Sequence, residues 1–265
     1  VRIALHQCES RPLGVDENLE RLGQALASAR DDGADLLLTP EMYLTGYAIG
    51  ADAVGRLAQP RDGEWARAVA ELARSSGVAV LYGYPERVGD AVYNAVQLVG
   101  ADGVPLAGYR KTHLFGSLDR EQFSPSDDDS AVVEIGGWRC GMLICYDVEF
   151  PETARALALA GVDVVLAPTA NMVEFDVVAT TLVPARAYEN QVYVAYANYA
   201  GAEADLEYCG LSCVVGPDGR DLARAGRGEE LVVAELDRAR LAESRRRAPY
   251  LLDRRPELYR TLGGT

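Results

Sequence analysis

Histidine is scarce in this 265-residue chain, which has only His6 and His113. They lie far apart, and neither is near Cys209 and Cys213, the one close cysteine pair, so a zinc site has no sensible ligand set and no metal is expected. Cysteines number five, an odd count in a long chain rich in regular structure. That count fits reduced thiols in the cytoplasm and argues against a disulfide scaffold. Positive charge is short as well: 26 Lys and Arg face 40 Asp and Glu, a formal charge of -14. Such a field repels polyphosphate and anionic lipid, so neither nucleic acid nor a membrane surface is an expected partner. The basic cluster Arg245 to Arg247 with Arg254 and Arg255 is interrupted by tyrosine and leucine and reads as a solvated, charge-balancing tail. No apolar run reaches membrane-spanning length. The opening Val1-Arg2-Ile3-Ala4-Leu5 looks like a strand and lacks the pattern of a signal peptide. No Gly-x-Gly-x-x-Gly or Gly-x4-Gly-Lys loop follows a strand, which counts against nucleotide binding.

About half of the residues are apolar, enough for one large core, and residues 1–265 are expected to form one domain. Short β-rich runs alternate with segments of helical period, the pattern of an α/β fold. Leu19, Leu22, Leu26 and Ala29 give an amphipathic helix between Asp16 and Asp31, before a buried strand over Asp35 to Thr39. A helix over Gly63 to Ser76 and a strand over Val78 to Tyr84 repeat the plan. Val92 to Val99, the Asp102-Gly103 turn and Pro105 to Tyr109 then predict a β-hairpin, so part of the sheet is antiparallel. In the second half, strands are predicted at Ala131 to Ile135, Arg139 to Cys145, Val162 to Pro168, Val192 to Asn198, Leu211 to Val215 and Leu231 to Leu236. Helices are predicted from Pro151 to Ala160 and from Val178 to Asn190. Two halves of similar content predict a four-layer α-β-β-α sandwich, with two mixed sheets face to face and helices outside.

Three polar residues fall at predicted strand ends, where open α/β folds place their crevices. Glu41 follows Leu37-Leu38-Thr39-Pro40 and is either a solvated loop charge or an acid held at the sheet rim. Lys111, in Tyr109-Arg110-Lys111-Thr112-His113-Leu114-Phe115, is followed by apolar residues that can hold its ammonium inward. Cys145, in Leu143-Ile144-Cys145-Tyr146-Asp147, ends a strand just before a helix, where N–H groups favour a thiolate or oxyanion. Cys8 and Cys140 read as inert small hydrophobes.

Together these motifs resemble the nitrilase superfamily of carbon-nitrogen hydrolases, which carry Glu, Lys and Cys in this order. Pro40-Glu41-Met42, Arg110 to Leu114, and Ile144-Cys145-Tyr146-Asp147 followed by Phe150-Pro151-Glu152 each look like one of its signatures. Cys145-Tyr146-Asp147 resembles the amidase branches, since true nitrilases generally have a Trp-Glu pair after the cysteine. The resemblance implies hydrolysis of a small amide to an acid and ammonia without any cofactor. Cys145 would be the nucleophile and Glu41 the general base, with Lys111 and the Tyr146 N–H as oxyanion donors. Many members place a second acid between the lysine and the cysteine, and here Asp119 and Glu121 compete for it. Tyr47, Phe115 and Phe150 are further pocket residues by motif adjacency, and Asn171 because Pro168-Thr169-Ala170-Asn171 ends the next strand. A tail over 245–265 would reach across a subunit interface, giving a homodimer or larger assembly.

Other readings stay open. An N-carbamoyl amidohydrolase or a nitrilase would use the same three residues. A Cys/His hydrolase or acyltransferase would take His113 as the base for Cys145, and a binding module would use the fold without the chemistry.

Overall fold

Strands that are apolar on both sides need cover on both sides, and that requirement builds the architecture. In β1 (Arg2–Glu9), Ile3 and Leu5 enter one core cluster while Ala4 and Cys8 enter another. The same alternation runs through β2 (Leu36–Leu38), where Leu37 faces away from Leu36 and Leu38, as the two-residue period of a strand demands.

The computed structural model describes residues 1–259. After β1 come α1 (Val15–Asp31), β2, α2 (Ala51–Leu57) and α3 (Glu64–Ser76). The strands β3 (Ala79–Val88), β4 (Ala91–Val99) and β5 (Pro105–Arg110) lead to α4 (Gly116–Gln122). The second half begins with β6 (Val133–Ile135), β7 (Trp138–Met142), α5 (Pro151–Leu159) and β8 (Val164–Pro168). It continues with α6 (Val183–Asn190), β9 (Tyr193–Ala197), β10 (Tyr199–Glu203), β11 (Leu206–Cys209) and β12 (Cys213–Val215). β13 (Asp221–Arg224), β14 (Glu230–Glu235), α7 (Arg238–Arg247) and α8 (Tyr250–Asp253) close it.

Eight strands form one sheet in the order β11-β10-β1-β2-β3-β4-β5, with β14 pairing along β1; six form the other, β13-β12-β9-β8-β7-β6. Both are mixed. β1, β2 and β3 are parallel and β3, β4 and β5 antiparallel, while β7, β8 and β9 are parallel with antiparallel neighbours β6 and β12. Ile3, Leu38, Leu81 and Leu98 of the first sheet share one cluster with Met142, Leu166 and Ala195 of the second, so the sheets pack face to face. On the outside, Leu22 and Leu26 of α1 and Val69 and Ala73 of α3 cover the first sheet. Ala154 and Leu157 of α5 and Val183 and Ala187 of α6 cover the second. The expected α-β-β-α sandwich is what forms.

Three expectations need correction. The strand expected to run to Cys145 stops at Met142, because the Asp147 carboxylate takes the Ile144 N–H at 3.1 Å and bends the chain away from the sheet. The helices α2, α4, α7 and α8, the strand β13 and the hairpin β10–β11 have no counterpart in the sequence reading; α2 and α4 have seven residues each, too few to display a helical period. Finally, Arg245 is no solvated tail charge. It pairs with Asp163 at 3.0 Å and donates to the carbonyls of Val162 and Gln191, fastening α7 to the start of β8. Arg246 stays exposed. The tail expected over 245–265 is described as far as Tyr259, and residues 260–265 lie outside the described residues.

Candidate active site

The end of β2 delivers the first acidic group. Pro40 turns the chain, Met42 takes a positive φ of 52°, and Glu41 between them is fully buried. This turn lies hard against β3, where a Cβ on Gly83 would stand 2.3 Å from the Met42 nitrogen. Only glycine admits the turn. The Glu41 N–H reaches across to the Thr169 carbonyl at 3.2 Å, so the turn is held by both sheets.

Lys111 follows the last residue of β5 and is also fully buried. Its Nζ donates at 2.7 Å to Glu41 Oε1 and at 2.7 Å to Asp119 Oδ2. Asp119 is equally buried in α4, and its remaining valences are taken by the Phe115 N–H and the Tyr47 hydroxyl, both at 2.8 Å. Glu41 is different. Oε1 accepts from Lys111 and, at 2.6 Å, from Asn94 Nδ2, while Oε2 has no partner among the described residues. A buried carboxylate oxygen without a donor is costly, and where it persists it marks a group kept free to react.

Cys145 opens a 3-10 turn over Cys145–Glu149 with a φ of 47°. A non-glycine residue pays about 1–3 kcal/mol for such a backbone, and it persists where the surroundings dictate it. The N–H groups at the start of such a turn have no acceptor within it, so those of Cys145 and Tyr146 are available to an oxyanion. What imposes the bend is Asp147, which is fully buried. Its carboxylate accepts from the N–H of Ile144 and from the N–H and hydroxyl of His113 and Thr112, at 3.1, 2.9 and 2.9 Å. It also takes the Tyr109 hydroxyl at 3.0 Å and lies 2.8 Å from His113 Nδ1. One carboxylate thus ties the lysine segment to the cysteine turn.

The other expected residues are distributed unevenly. Phe115 and Phe150 both meet the Tyr146 ring edge-on, with centroids 5.3 and 4.9 Å away, and form an aromatic rim beside Cys145. Tyr47 is buried and serves Asp119 with its hydroxyl. Asn171 is buried, with Nδ2 committed to the Phe175 carbonyl at 2.9 Å, so it braces the loop after β8 with that nitrogen. Glu121 does not join the group. It is exposed on α4, because the helical turn that carries Asp119 inward carries a residue two positions later outward. His113 stacks on Phe150 at 4.1 Å and pairs with Asp147, so its Nδ1 is not directed at a thiol. Asn94 and Asp147 were missed by sequence reasoning. Asn94, an amide inside the apolar run of β4, carried a signal, since buried amides need dedicated partners.

Burial raises the Glu41 pKa above the ordinary carboxylate range; Lys111 opposes the shift and Asp119 adds to it. Burial also works against the Lys111 charge, but Glu41, Tyr47, Asp119 and Cys145 around it outweigh that and hold its pKa well above normal. The Cys145 thiol is pushed well up by burial and by the Glu41 charge, against Lys111, Thr169 and the Ala170 amide. Cys145 is therefore held as a neutral thiol beside Glu41 and a charged Lys111 ammonium. Such a set can pass a proton from sulfur to carboxylate during attack and offer the ammonium to the charge that develops. Cys8 and Cys140 are pushed up to about 12 by burial, which leaves them unreactive.

The carbon-nitrogen hydrolase family model matches residues 2–246. A Pseudomonas protegens protein named for its position, "Hydrolase in pqqF 5'region", is 55% identical over 98% of this chain and 90% of its own. An (R)-stereoselective amidase of Pseudomonas sp is 41% identical over 96% of this chain and 92% of its own. Among solved structures, an amidase from Nesterenkonia sp. AN1 superposes with a TM-score of 0.86 at 36% identity, over 98% of this chain and 96% of that one. That structure is of a Glu-to-Gln variant of the amidase, with the acetamide moiety of fluoroacetamide covalently added to the active-site cysteine.

Proposed function

The chain belongs to the carbon-nitrogen hydrolase family, and from that premise we propose that it is an amidase cleaving small carboxamides through a thioester on Cys145. The observation that carries this reading is the free Oε2 of Glu41 in a fully buried cluster with Lys111. Glu41 takes the thiol proton as sulfur attacks the amide carbon. The Lys111 ammonium and the Tyr146 N–H hold the oxyanion, a donor pair whose loss ordinarily costs about 10²–10³ in rate per donor. Glu41 then returns its proton to the departing nitrogen, and ammonia leaves. A water deprotonated by Glu41 attacks the thioester, releasing the carboxylic acid and the cysteine. Asp119 keeps Lys111 charged and oriented. The acetamide adduct on the cysteine of the related amidase supports Cys145 as the nucleophile.

The test measures ammonia release and intact mass for wild type and Cys145→Ala against aliphatic amides, N-carbamoyl compounds and nitriles. Release from amides with an acyl adduct on wild type alone is the expected result. Activity indifferent to Cys145 refutes the reading.

The assembly we propose is a homodimer or larger. Tyr188 of α6 meets Tyr250 of α8 at 5.7 Å, and Leu159, Leu252 and Leu258 are left more than half exposed, a set that a second copy would cover. Free thiols at all five cysteines support a reducing, cytoplasmic setting, and no helix among the described residues is long and apolar enough to cross a membrane.

A further inference from the structure

Glu149 closes the 3-10 turn that Cys145 opens, and it is half-buried. Its main chain is fixed, because Arg186 donates from Nε to the Val148 carbonyl at 2.9 Å and from Nη2 to the Glu149 carbonyl at 2.5 Å. The third nitrogen of Arg186 is committed to Glu189 at 3.0 Å. Among the described residues, the Glu149 carboxylate itself has no hydrogen-bond donor and no ion-pair partner. Burial raises its pKa above the ordinary range, although Lys111 and Arg186 lie near enough to pull the other way. A half-buried carboxylate left without a partner so close to the reacting groups is a binding element waiting for a cation.

Its surroundings point the same way. Phe150 follows Glu149 in the chain and meets Tyr146 edge-on at 4.9 Å, and Phe115 meets both Tyr146 and Phe175, at 5.3 and 5.6 Å, so aromatic rings cluster beside the turn. Aromatic faces attract ammonium groups. The charges of the site are unbalanced too: Glu41 and Asp119 contact Lys111, Glu149 lies near enough to feel its charge, and Arg186 is paired with Glu189. A crevice with such an excess of carboxylates concentrates cationic ligands and repels anionic ones.

We propose that Glu149 and the rim of Tyr146, Phe115 and Phe150 form a subsite for an ammonium group, so that the enzyme prefers amino-bearing carboxamides, such as amino-acid amides, to neutral or carboxylate-bearing ones. The inference rests on the amidase reading above and narrows its substrate class.

The experiment compares kcat/KM for alaninamide, butyramide and succinamate in wild type, Glu149→Gln and Glu149→Asp. In wild type, alaninamide exceeds butyramide, and succinamate is poorest. Glu149→Gln lowers the alaninamide-to-butyramide ratio by about tenfold, the scale of one charged contact, and Glu149→Asp retains most of it. The ratio in wild type also declines above pH about 8, where the substrate's α-amino group loses its proton. A ratio unmoved by Glu149→Gln, or a wild type that favours succinamate, overturns the subsite and leaves the amidase reading standing. If Glu149→Gln loses all turnover, a Glu149→Asp ratio that falls to that of the neutral amide overturns it, and a retained ratio supports it. Absence of turnover on all three amides in wild type instead defeats the amidase reading.

Discussion

Lys111 has a carboxylate on either side, and the two sides are alike in almost everything but their unfilled valences. Glu41 and Asp119 are both fully buried and both lie 2.7 Å from the Nζ. Asp119 has a donor on each oxygen, from Lys111, Phe115 and Tyr47, whereas Glu41 keeps Oε2 free. A carboxylate with both oxygens engaged holds its neighbours in place and is a poorer proton acceptor for it. One with an open oxygen can take a proton without disturbing anything. The comparison teaches that burial and charge pairing do not separate a base from a brace; the count of occupied acceptor sites does.

The largest effect expected from breaking this asymmetry is at Glu41. Glu41→Gln keeps shape and most hydrogen bonds but removes the base, and kcat is expected to fall by about 10³. Because burial holds the Glu41 pKa above the ordinary carboxylate range, the acid limb of kcat/KM in wild type lies above that range. Activity rises as pH climbs through it and Glu41 ionises. The limb disappears in Glu41→Gln. A pH–rate profile of both proteins checks the assignment, and a limb that survives in the variant assigns the base elsewhere.

The smaller effect is at Asp119. Asp119→Asn cannot accept from Lys111, Phe115 and Tyr47 together, so a loss of about 10–100-fold in kcat is expected from a displaced ammonium. The sign on the pH profile is separate and sharper. The Asp119 charge helps raise the Glu41 pKa, so removing it moves the acid limb to lower pH. An unmoved limb means that the two carboxylates do not share one field. A loss as large as that of Glu41→Gln erases the distinction between brace and base.

The same contrast explains what the sequence could and could not display. Glu41, Lys111 and Cys145 stand at the ends of apolar runs, where each alone reads equally as a loop charge or a core thiol; the three motifs taken together, through their resemblance to the carbon-nitrogen hydrolases, single them out. The four-layer fold was visible because the central strands, such as β2 and β8, are apolar on both faces. What remained hidden depends on contacts between distant segments. Asp119 and Glu121 have the same composition on a seven-residue helix, and only the packing of α4 under Lys111 turns one inward. Asp147 gathers donors from residues as far as 38 positions away, which no local pattern records. The end of β7 at Met142 follows from that carboxylate and not from any residue in the strand.

The smallest expected effect concerns the second charged pair, His113 with Asp147, which differs from the Lys111 cluster in being partly open: the His113 side chain is 36% exposed. The hydrogen bond to Asp147 raises the His113 pKa, against some desolvation. With the folded pKa raised, the stabilisation is fully present below the unfolded value of about 6.5 and is lost as pH rises through the folded one. Solvent screening limits it to about 1 kcal/mol or less, or roughly 2 °C in melting temperature for a chain of this size. His113→Asn is therefore expected to lower the melting temperature most clearly near pH 5.5 and progressively less in alkaline buffer, with kcat reduced only a few-fold. That outcome places His113 in the clamp between the lysine segment and the cysteine turn. Complete loss of activity at an unchanged melting temperature would instead make His113 the base for Cys145, and Glu41, despite its free oxygen, a structural acid.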